Sequence, residues 1–231
     1  MNMKNCRNLL LAAAVLVAAS SCSDKVQVNG TLVGAPDTQV VVKQLSGSTL
    51  VTLDTLKTDA SGAYSCKIDV LKGQPQFVYL FKGDTKIASL LLQKGDKVKV
   101  ASDTLGKYSV EGSEESEKLR QVEEDFAAFM DKFSADAAAG DNAAASKDYI
   151  EYYRGCVKYI MTNSKSLTSI PVLYQKVNES FPIFSQATDA ILFQNVHDSL
   201  MTVYPESKYL EALKKEAEKR FNIFNLSQRV Q

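Results

Sequence analysis

The side chains best suited to chemistry in this sequence are four cysteines and a single histidine. Cys66 and Cys156 are far apart in the chain, and no Cys-x-x-Cys pair occurs, so the signature of a redox-active dithiol is absent. Cys66 alternates with Tyr64 and Ile68 in an apolar pattern, and Cys156 recurs with Ile160 at helical spacing. We therefore predict two buried free thiols, with a disulfide in an oxidising compartment as the alternative.

The histidine, His197, stands next to Asp198 and Ser199. Adjacent residues on a helix point about 100° apart, so these three cannot form a Ser-His-Asp relay among themselves. We predict a surface or boundary histidine. One histidine with scattered carboxylates gives no zinc or calcium spacing, and neither a phosphate-binding glycine loop nor a Gly-x-Ser-x-Gly elbow occurs. The sequence therefore predicts no catalytic residue, no metal site and no cofactor, and a protein that is not an enzyme.

Carboxylates are concentrated after Gly112, where the pattern predicts a solvated helix face. The predicted solvated residues are Glu114, Glu115, Glu117, Glu123, Glu124 and Asp125. The chain has no Trp, and its Tyr and Phe residues fall mostly in apolar positions, which disfavours a glycan site built on exposed aromatic rings.

Cys22 stands at the end of a different pattern. Lys4 and Arg7 precede an apolar run over residues 9–19, and small residues follow it directly before Cys22, as in a signal peptide over residues 1–21. The stretch Ala-Ser-Ser-Cys at 19–22 resembles a bacterial lipobox, although many lipoboxes carry Leu where this chain has Ala. The resemblance implies that Cys22 is lipidated and begins the mature chain. The alternative is an ordinary signal peptide.

A lipid anchor on Cys22 predicts attachment to a membrane of the bacterial cell envelope, at the outer membrane facing the periplasm. The apolar run is shorter than the roughly 20 residues that span a bilayer. The full chain has 27 basic and 27 acidic residues. Loss of residues 1–21 leaves 25 basic and 27 acidic residues, so the net charge changes from 0 to −2. No basic run with interleaved aromatic residues occurs, so nucleic acid is not an expected partner.

Residues 22–112 follow a period of two. Short alternating runs are separated by turn signals such as Asp-Ala-Ser-Gly at 59–62 and Lys-Gly-Asp at 94–96. The predicted strands lie at 26–32, 38–44, 50–57, 63–70, 76–82, 86–92, 97–101 and 107–111. Such spacing predicts an antiparallel β-sandwich. The unbroken apolar run Leu90–Leu92 predicts a strand buried on both faces.

Residues 113–231 are predicted to form an all-helical part, so that the fold class is α+β. Ser113 and the acidic residues after it predict the start of the first helix. An alanine-rich segment at 135–145, with Gly140 inside it, is predicted to be a fraying end or loop. Further helices are predicted at about 147–163, 168–180, 188–203 and 206–226, with Pro205 between the last two.

Several stretches of the sequence look familiar, namely VNGTLVG, LDTLKTDASGAYSCKIDV, PQFVYLF and LLLQKGDKVKV. They resemble the amino-terminal domain of unknown function of bacterial lipoproteins in the alkyl hydroperoxide reductase/thiol-specific antioxidant (thioredoxin-like) group. The stretch SIPVLYQKVN and those after it are similar to the linker helices that follow in that group. The quoted motifs are turns and packing positions, so the resemblance supplies no catalytic residue.

Relatives of this kind continue into a thioredoxin fold with a Cys-x-x-Cys site, which this sequence lacks. The resemblance therefore implies a non-catalytic envelope lipoprotein that binds or positions another molecule, with a protein of thioredoxin type as one partner. A solute- or glycan-binding lipoprotein is the alternative. A redox component acting through Cys66 and Cys156 is a third hypothesis.

Overall fold

The structure is a computed structural model that describes residues 25–229. The predicted signal peptide over residues 1–21 and the predicted lipidation site Cys22 lie outside the described residues. Within residues 25–229, no helix combines the length and the apolar character needed to cross a membrane.

Eight strands form two four-stranded sheets in the first half of the chain. They are β1 (Lys25–Leu32), β2 (Gln39–Ser46), β3 (Thr49–Lys57), β4 (Ala63–Asp69), β5 (Gln76–Lys82), β6 (Thr85–Leu92), β7 (Lys97–Ser102) and β8 (Tyr108–Glu111). The first sheet has the order β4-β1-β7-β8 and the second has the order β3-β2-β5-β6. All neighbours are antiparallel except β1 and β7, which are parallel. Between β1 and β7 the chain forms the five strands β2 to β6, so no tight turn constrains the relative direction of β1 and β7.

The two sheets enclose one hydrophobic core, which confirms the predicted sandwich. Val28 of β1 and Val98 of β7 contribute from the first sheet, and Val42 of β2 and Leu80 of β5 contribute from the second. Along β1 and β7 every second side chain is buried, as the alternating sequence predicts.

The turn between β3 and β4 depends on an aspartate and a glycine. Asp59 Oδ1 accepts hydrogen bonds from the backbone N–H groups of Ser61 at 2.8 Å and Ala63 at 2.9 Å. Gly62 has φ +81°, and a Cβ there would lie 2.3 Å from the carbonyl oxygen of Leu32. This turn motif therefore has a structural role, as the resemblance implies.

Helices dominate the second half of the chain. They are α1 (Glu114–Ala138), α2 (Asn142–Thr162), α3 (Ser169–Leu173), α4 (Ala190–Met201) and α5 (Tyr209–Arg229), with a 3₁₀ turn at Ala187–Asp189 before α4. A small hairpin, β9 (Lys176–Asn178) and β10 (Phe181–Pro182), interrupts the helical part. The helix predicted at 168–180 is therefore wrong beyond Leu173. Asn178 begins a tight turn, in which its side chain accepts a hydrogen bond from Ser180 N–H at 3.0 Å.

The alanine-rich segment at 135–145 is mostly helical, so its prediction as a fraying end or loop is wrong. Helix α1 continues to Ala138, and α2 begins at Asn142. Only a short turn separates them, where Gly140 has φ +76° and Asp141 caps α2 by accepting a hydrogen bond from Ala144 N–H at 2.9 Å. Alanine has the highest intrinsic helix propensity, and glycine provides the break.

The second sheet is the middle layer of three. Leu90 of β6 packs in the sandwich core. Its neighbour Leu91, also in β6, packs with Phe77 of β5 in a second core that includes the helices. Residues 87–92 of β6 are all buried, which confirms the prediction of a strand covered on both faces. The division into a sandwich domain at 22–112 and a helical domain at 113–231 stays a prediction, because the helical core includes strand side chains.

The start of α1 covers the edge of the second sheet. Ser113 caps the helix, as predicted, and its hydroxyl donates a hydrogen bond to Asp96 at 2.8 Å. Ser116 Oγ accepts from Leu91 N–H at 3.0 Å and donates to Leu91 carbonyl oxygen at 3.2 Å. These bonds satisfy backbone groups that an edge strand would otherwise expose.

Candidate functional site

The two described thiols are buried in different places. Cys66 lies in the sandwich core and Cys156 lies in the helical core. Both are free and buried, which confirms the prediction. Burial raises the pKa of each thiol to about 11. A thiol held in this way is a poor nucleophile, because the thiolate is the reactive form.

His197 lies at the boundary between core and solvent, as predicted, with 12% of its side chain exposed. Its Nδ1 atom is 3.0 Å from Asp198 Oδ1, and the same oxygen accepts a hydrogen bond from Gln194 at 2.8 Å. The bond from Gln194, followed by that from His197, lowers the pKa of Asp198. The histidine therefore belongs to a surface hydrogen-bond cluster on α4.

The predicted solvated acidic face of α1 is wrong for two of its six residues. Glu123 is only 28% exposed and accepts hydrogen bonds from Lys86 at 2.6 Å and Ser89 at 2.7 Å. Glu115 is 12% exposed and accepts hydrogen bonds from Lys118 and Ser166. These two carboxylates attach α1 to its neighbours. Among the residues that the structure describes, no group of three or more His, Cys, Asp or Glu side chains could hold a metal ion.

A groove between α1 and α2 holds a second set of charged side chains. Lys132 of α1 forms an ion pair with the buried Asp148 of α2. This bond is the main reason that the pKa of Asp148 is lowered, whereas a hydrogen bond with Asp148 raises the pKa of Asp136. The rings of Phe129 and Tyr152 stack at 4.2 Å in the same groove. Each of these contacts joins the two helices, so we interpret the cluster as structural.

The sheet–helix pocket is the best candidate for a functional site. We give this name to a cavity of about 490 Å³ between the outer face of the second sheet and helices α3 and α5. Four aromatic side chains line it, namely Phe77, Tyr79, Tyr174 and Tyr209. Aliphatic side chains complete the wall, among them Leu45, Ile170 and Leu213. A volume of 300–1,000 Å³ with mainly apolar walls is typical of small-molecule sites.

Tyr209 explains why the sheet opens at this point. Strands β2 and β5 pair as far as Gln44 opposite Val78, so the next pair in register would be Leu45 opposite Phe77. The Tyr209 hydroxyl bridges these two residues instead, since it accepts from Phe77 N–H at 2.9 Å and donates to Leu45 carbonyl oxygen at 3.3 Å. A tyrosine from α5 thus takes the place of one pair of backbone hydrogen-bonding groups in the sheet, and it also forms part of the pocket wall.

Lys208 stands at the rim of the pocket. It is the one charged side chain among the described residues that line it. Its Nζ atom lies 5.3 Å from the centre of the Tyr209 ring, and it forms no ion pair with a described residue. The residue is exposed, and partial desolvation of its side chain by the pocket wall lowers the pKa of Lys208. The pocket therefore combines apolar walls with one solvent-exposed lysine at its rim.

Comparison with known families gives a match in the sheet half of the chain. Residues 26–119 match the family model DUF4369, a domain of unknown function. A search of the curated proteins found no match to this chain. The DUF4369 match runs from β1 into the start of α1 and includes Asp59, Gly62 and Asp96. It confirms the domain of unknown function that the resemblance implies, while the association with thioredoxin-like lipoproteins stays a prediction.

The sequence did not identify the pocket residues. Phe77 and Tyr79 belong to the DUF4369 match, whereas Tyr174, Lys208 and Tyr209 follow it. Their separation in the chain hides the site, because only the packing of α3 and α5 on β5 brings them together. The one available signal was the alternation of β5, which places two aromatic residues on the face away from the sandwich core.

Replacing Tyr209 with phenylalanine is expected to lower the free energy of unfolding by roughly 2–4 kcal/mol. The ring would remain, but the backbone N–H of Phe77 and carbonyl group of Leu45 would lose their shared partner, and an unsatisfied buried polar group costs about 1–3 kcal/mol. Urea unfolding followed by circular dichroism measures the change. Tyr174→Phe is the matched control in the same pocket, because its hydroxyl bonds to no described residue and 42% of the residue is exposed. Equal stability of the two variants would contradict the bridging role.

Proposed function

We propose that this chain is a non-catalytic lipoprotein of the bacterial cell envelope that binds or positions another molecule. The observation that carries the proposal is the sheet–helix pocket, which is preformed and lined by four aromatic rings. The pattern of residues 1–22 supports the lipid anchor on Cys22 and a location at the outer membrane facing the periplasm. A solute-binding role, the alternative that the sequence left open, is the form of this proposal that the pocket favours.

The state of the two thiols supports the absence of redox catalysis. Burial raises the pKa of both Cys66 and Cys156 to about 11, so each thiol stays protonated near neutral pH. They also lie in separate cores, so neither acts as a resolving thiol for the other.

The test is thiol labelling combined with activity. The native protein is expected to react with iodoacetamide at pH 8 at least 100-fold more slowly than the same protein unfolded in urea. It is also expected to give no insulin reduction and no peroxide consumption above buffer. A Cys66→Ser/Cys156→Ser double variant is the control. Rapid labelling of the native protein, with an activity that the double variant loses, would make the chain a redox enzyme.

A protein partner of thioredoxin type is a second candidate, and strand β3 supports it. This strand forms one edge of the second sheet, and its Leu50, Val51 and Leu53 are 43–47% exposed. An exposed edge offers unpaired backbone groups and apolar side chains to an extended segment of another protein. Val51→Lys is expected to weaken binding of a purified thioredoxin-fold envelope protein at least tenfold. The control is Leu105→Lys in the turn between β7 and β8, where the leucine is 87% exposed; equal effects of both changes would exclude β3 as the contact.

A further inference from the structure

The walls of the sheet–helix pocket select against polar solutes. Rings from β5, from Tyr174 directly after α3 and from α5 surround the cavity; the Tyr209 hydroxyl is already bonded to two backbone groups, and Tyr174, whose hydroxyl has no described partner, is 42% exposed. A sugar carries hydroxyl groups on every side, and each would need a hydrogen-bond partner when it leaves water. An aliphatic or aromatic group needs none, and burying it in such a cavity is favourable. The interior therefore suits an apolar group.

A lysine at the rim of the pocket favours a negatively charged group on the ligand. Lys208 places its ammonium group 5.3 Å from the centre of the Tyr209 ring, and no carboxylate of a described residue forms an ion pair with it. Glu211 pairs with Lys215 at 2.7 Å, and Glu216 pairs with Arg220 at 2.7 Å. Lys208 is exposed to solvent, so its ammonium group can pair with an anionic group at the mouth of the cavity.

We propose that the sheet–helix pocket binds a hydrophobic anion, with an aliphatic chain in the cavity and a carboxylate or phosphate group against Lys208. The inference rests on the proposed binding function and adds the chemical class of the ligand. A fatty acid and an anionic phospholipid share this chemistry. A cationic amphiphile would place like charge beside the ammonium group, and a neutral one would leave Lys208 without a partner.

The experiment uses the full chain in phosphatidylcholine discs and a dodecanoate analogue that carries a photoactivatable diazirine on its chain. Cross-linked peptides, identified by mass spectrometry, are expected from β5, α3 and the start of α5. Excess dodecanoate should remove at least 80–90% of this labelling, as expected for a roughly tenfold excess over a shared site. The same concentration of dodecyltrimethylammonium should remove little. Discs that contain phosphatidylglycerol distinguish the two candidate ligands. If the anionic phospholipid occupies the pocket, labelling is lost in these discs; if the pocket prefers the free fatty acid, labelling is retained.

Two variants and one control separate the parts of the inference. Lys208→Gln is expected to weaken labelling at least fivefold, whereas Lys214→Gln, a lysine on α5 that does not line the pocket, should leave it unchanged. Ala212→Trp fills the cavity from an exposed position and should abolish labelling without lowering the melting temperature. Labelling spread over the whole surface would overturn the pocket as the site.

The outcomes distinguish the ligand class from the proposed function. Pocket labelling that dodecanol competes as well as dodecanoate, and that Lys208→Gln does not change, would overturn the anionic ligand and leave the binding function in place. Thiol-dependent turnover in the insulin assay would overturn the proposed function, whatever the pocket binds.

Discussion

Replacing Gly30 with alanine is expected to lower the free energy of unfolding by roughly 3 kcal/mol or more. Gly30 lies in β1 opposite Tyr64 of β4 and is buried. A Cβ at this position would lie 1.9 Å from Cζ of the Tyr64 ring, far inside van der Waals contact. The ring cannot move away cheaply, because Tyr64 is 6% exposed within the sandwich core. Overpacking a rigid core typically costs about 1–3 kcal/mol and sometimes more.

The same substitution at another glycine should have the opposite sign. Gly155 lies within α2, has no positive φ, and has open space where a Cβ would be placed. Gly155→Ala is therefore expected to raise the free energy of unfolding by about 0.4–1 kcal/mol, since alanine is the better helix former. Urea unfolding followed by circular dichroism compares the two variants.

A double variant tests whether the ring of Tyr64 causes the cost at Gly30. Tyr64→Leu removes the atoms nearest to the new Cβ, so Gly30→Ala should cost at least 1.5 kcal/mol less in that background, a coupling of the size expected for residues in contact. Additive effects would mean that the glycine is required for another reason. The residue pair explains why a tyrosine follows the turn Asp-Ala-Ser-Gly in this sequence: it fills the space that a glycine leaves on the neighbouring strand β1.

The strands could be predicted because their burial follows the simplest pattern. In β1, β4 and β7 one face contacts the core and the other contacts water, so apolar and polar residues alternate. Strand β6 breaks this rule, and its unbroken apolar run correctly predicted cover on both faces. No local pattern in the sequence indicates that β1 and β7 pair in parallel, because this pairing depends on how the two sheets pack on each other.

The helical part was less predictable where short segments depend on tertiary contacts. The sequence predicts a helix that continues through residues 174–180, yet α3 ends at Leu173 and a hairpin follows. Ile183 N–H donates to Gln175 carbonyl oxygen at 2.9 Å, and Tyr149 of α2 donates to the carbonyl oxygen of Ile183 at 2.7 Å. These long-range bonds stabilise the hairpin and override local propensity.

The candidate site was the least predictable feature, for a related reason. The residues that line a pocket between β5, α3 and α5 show no regular spacing in the sequence. The key contact of the pocket is the Tyr209 hydroxyl, which takes the place of a backbone hydrogen bond between two strands. Lys208 looks like any surface lysine until its neighbours are known. The cysteines and His197 were predicted more reliably, because an apolar pattern or a helix position alone decides their burial.

Replacing Cys22 with alanine is expected to abolish lipid attachment altogether, which is the largest effect we predict. In a lipobox the cysteine thiol is the group that is acylated, and alanine has no group that could accept a diacylglycerol. Each buried methylene contributes about 0.8 kcal/mol, and stable anchoring needs more than one acyl chain, so losing the modification removes the entire anchor. Cells grown with radiolabelled palmitate should incorporate label into the wild-type protein and none into Cys22→Ala.

Cys6→Ala is the matched control for the anchor, because Cys6 lies in the same predicted signal peptide and should leave with it. This variant should incorporate palmitate as the wild type does, and intact mass should place Cys22 at the mature amino terminus of both. Cys22→Ala should instead retain residues 1–21, because the lipobox cleavage follows acylation. A wild-type protein without label, cut elsewhere to a free amino terminus, would establish an ordinary signal peptide and exclude the anchor. The mature chain would then be released from the membrane, and the pocket would have to bind its ligand in solution.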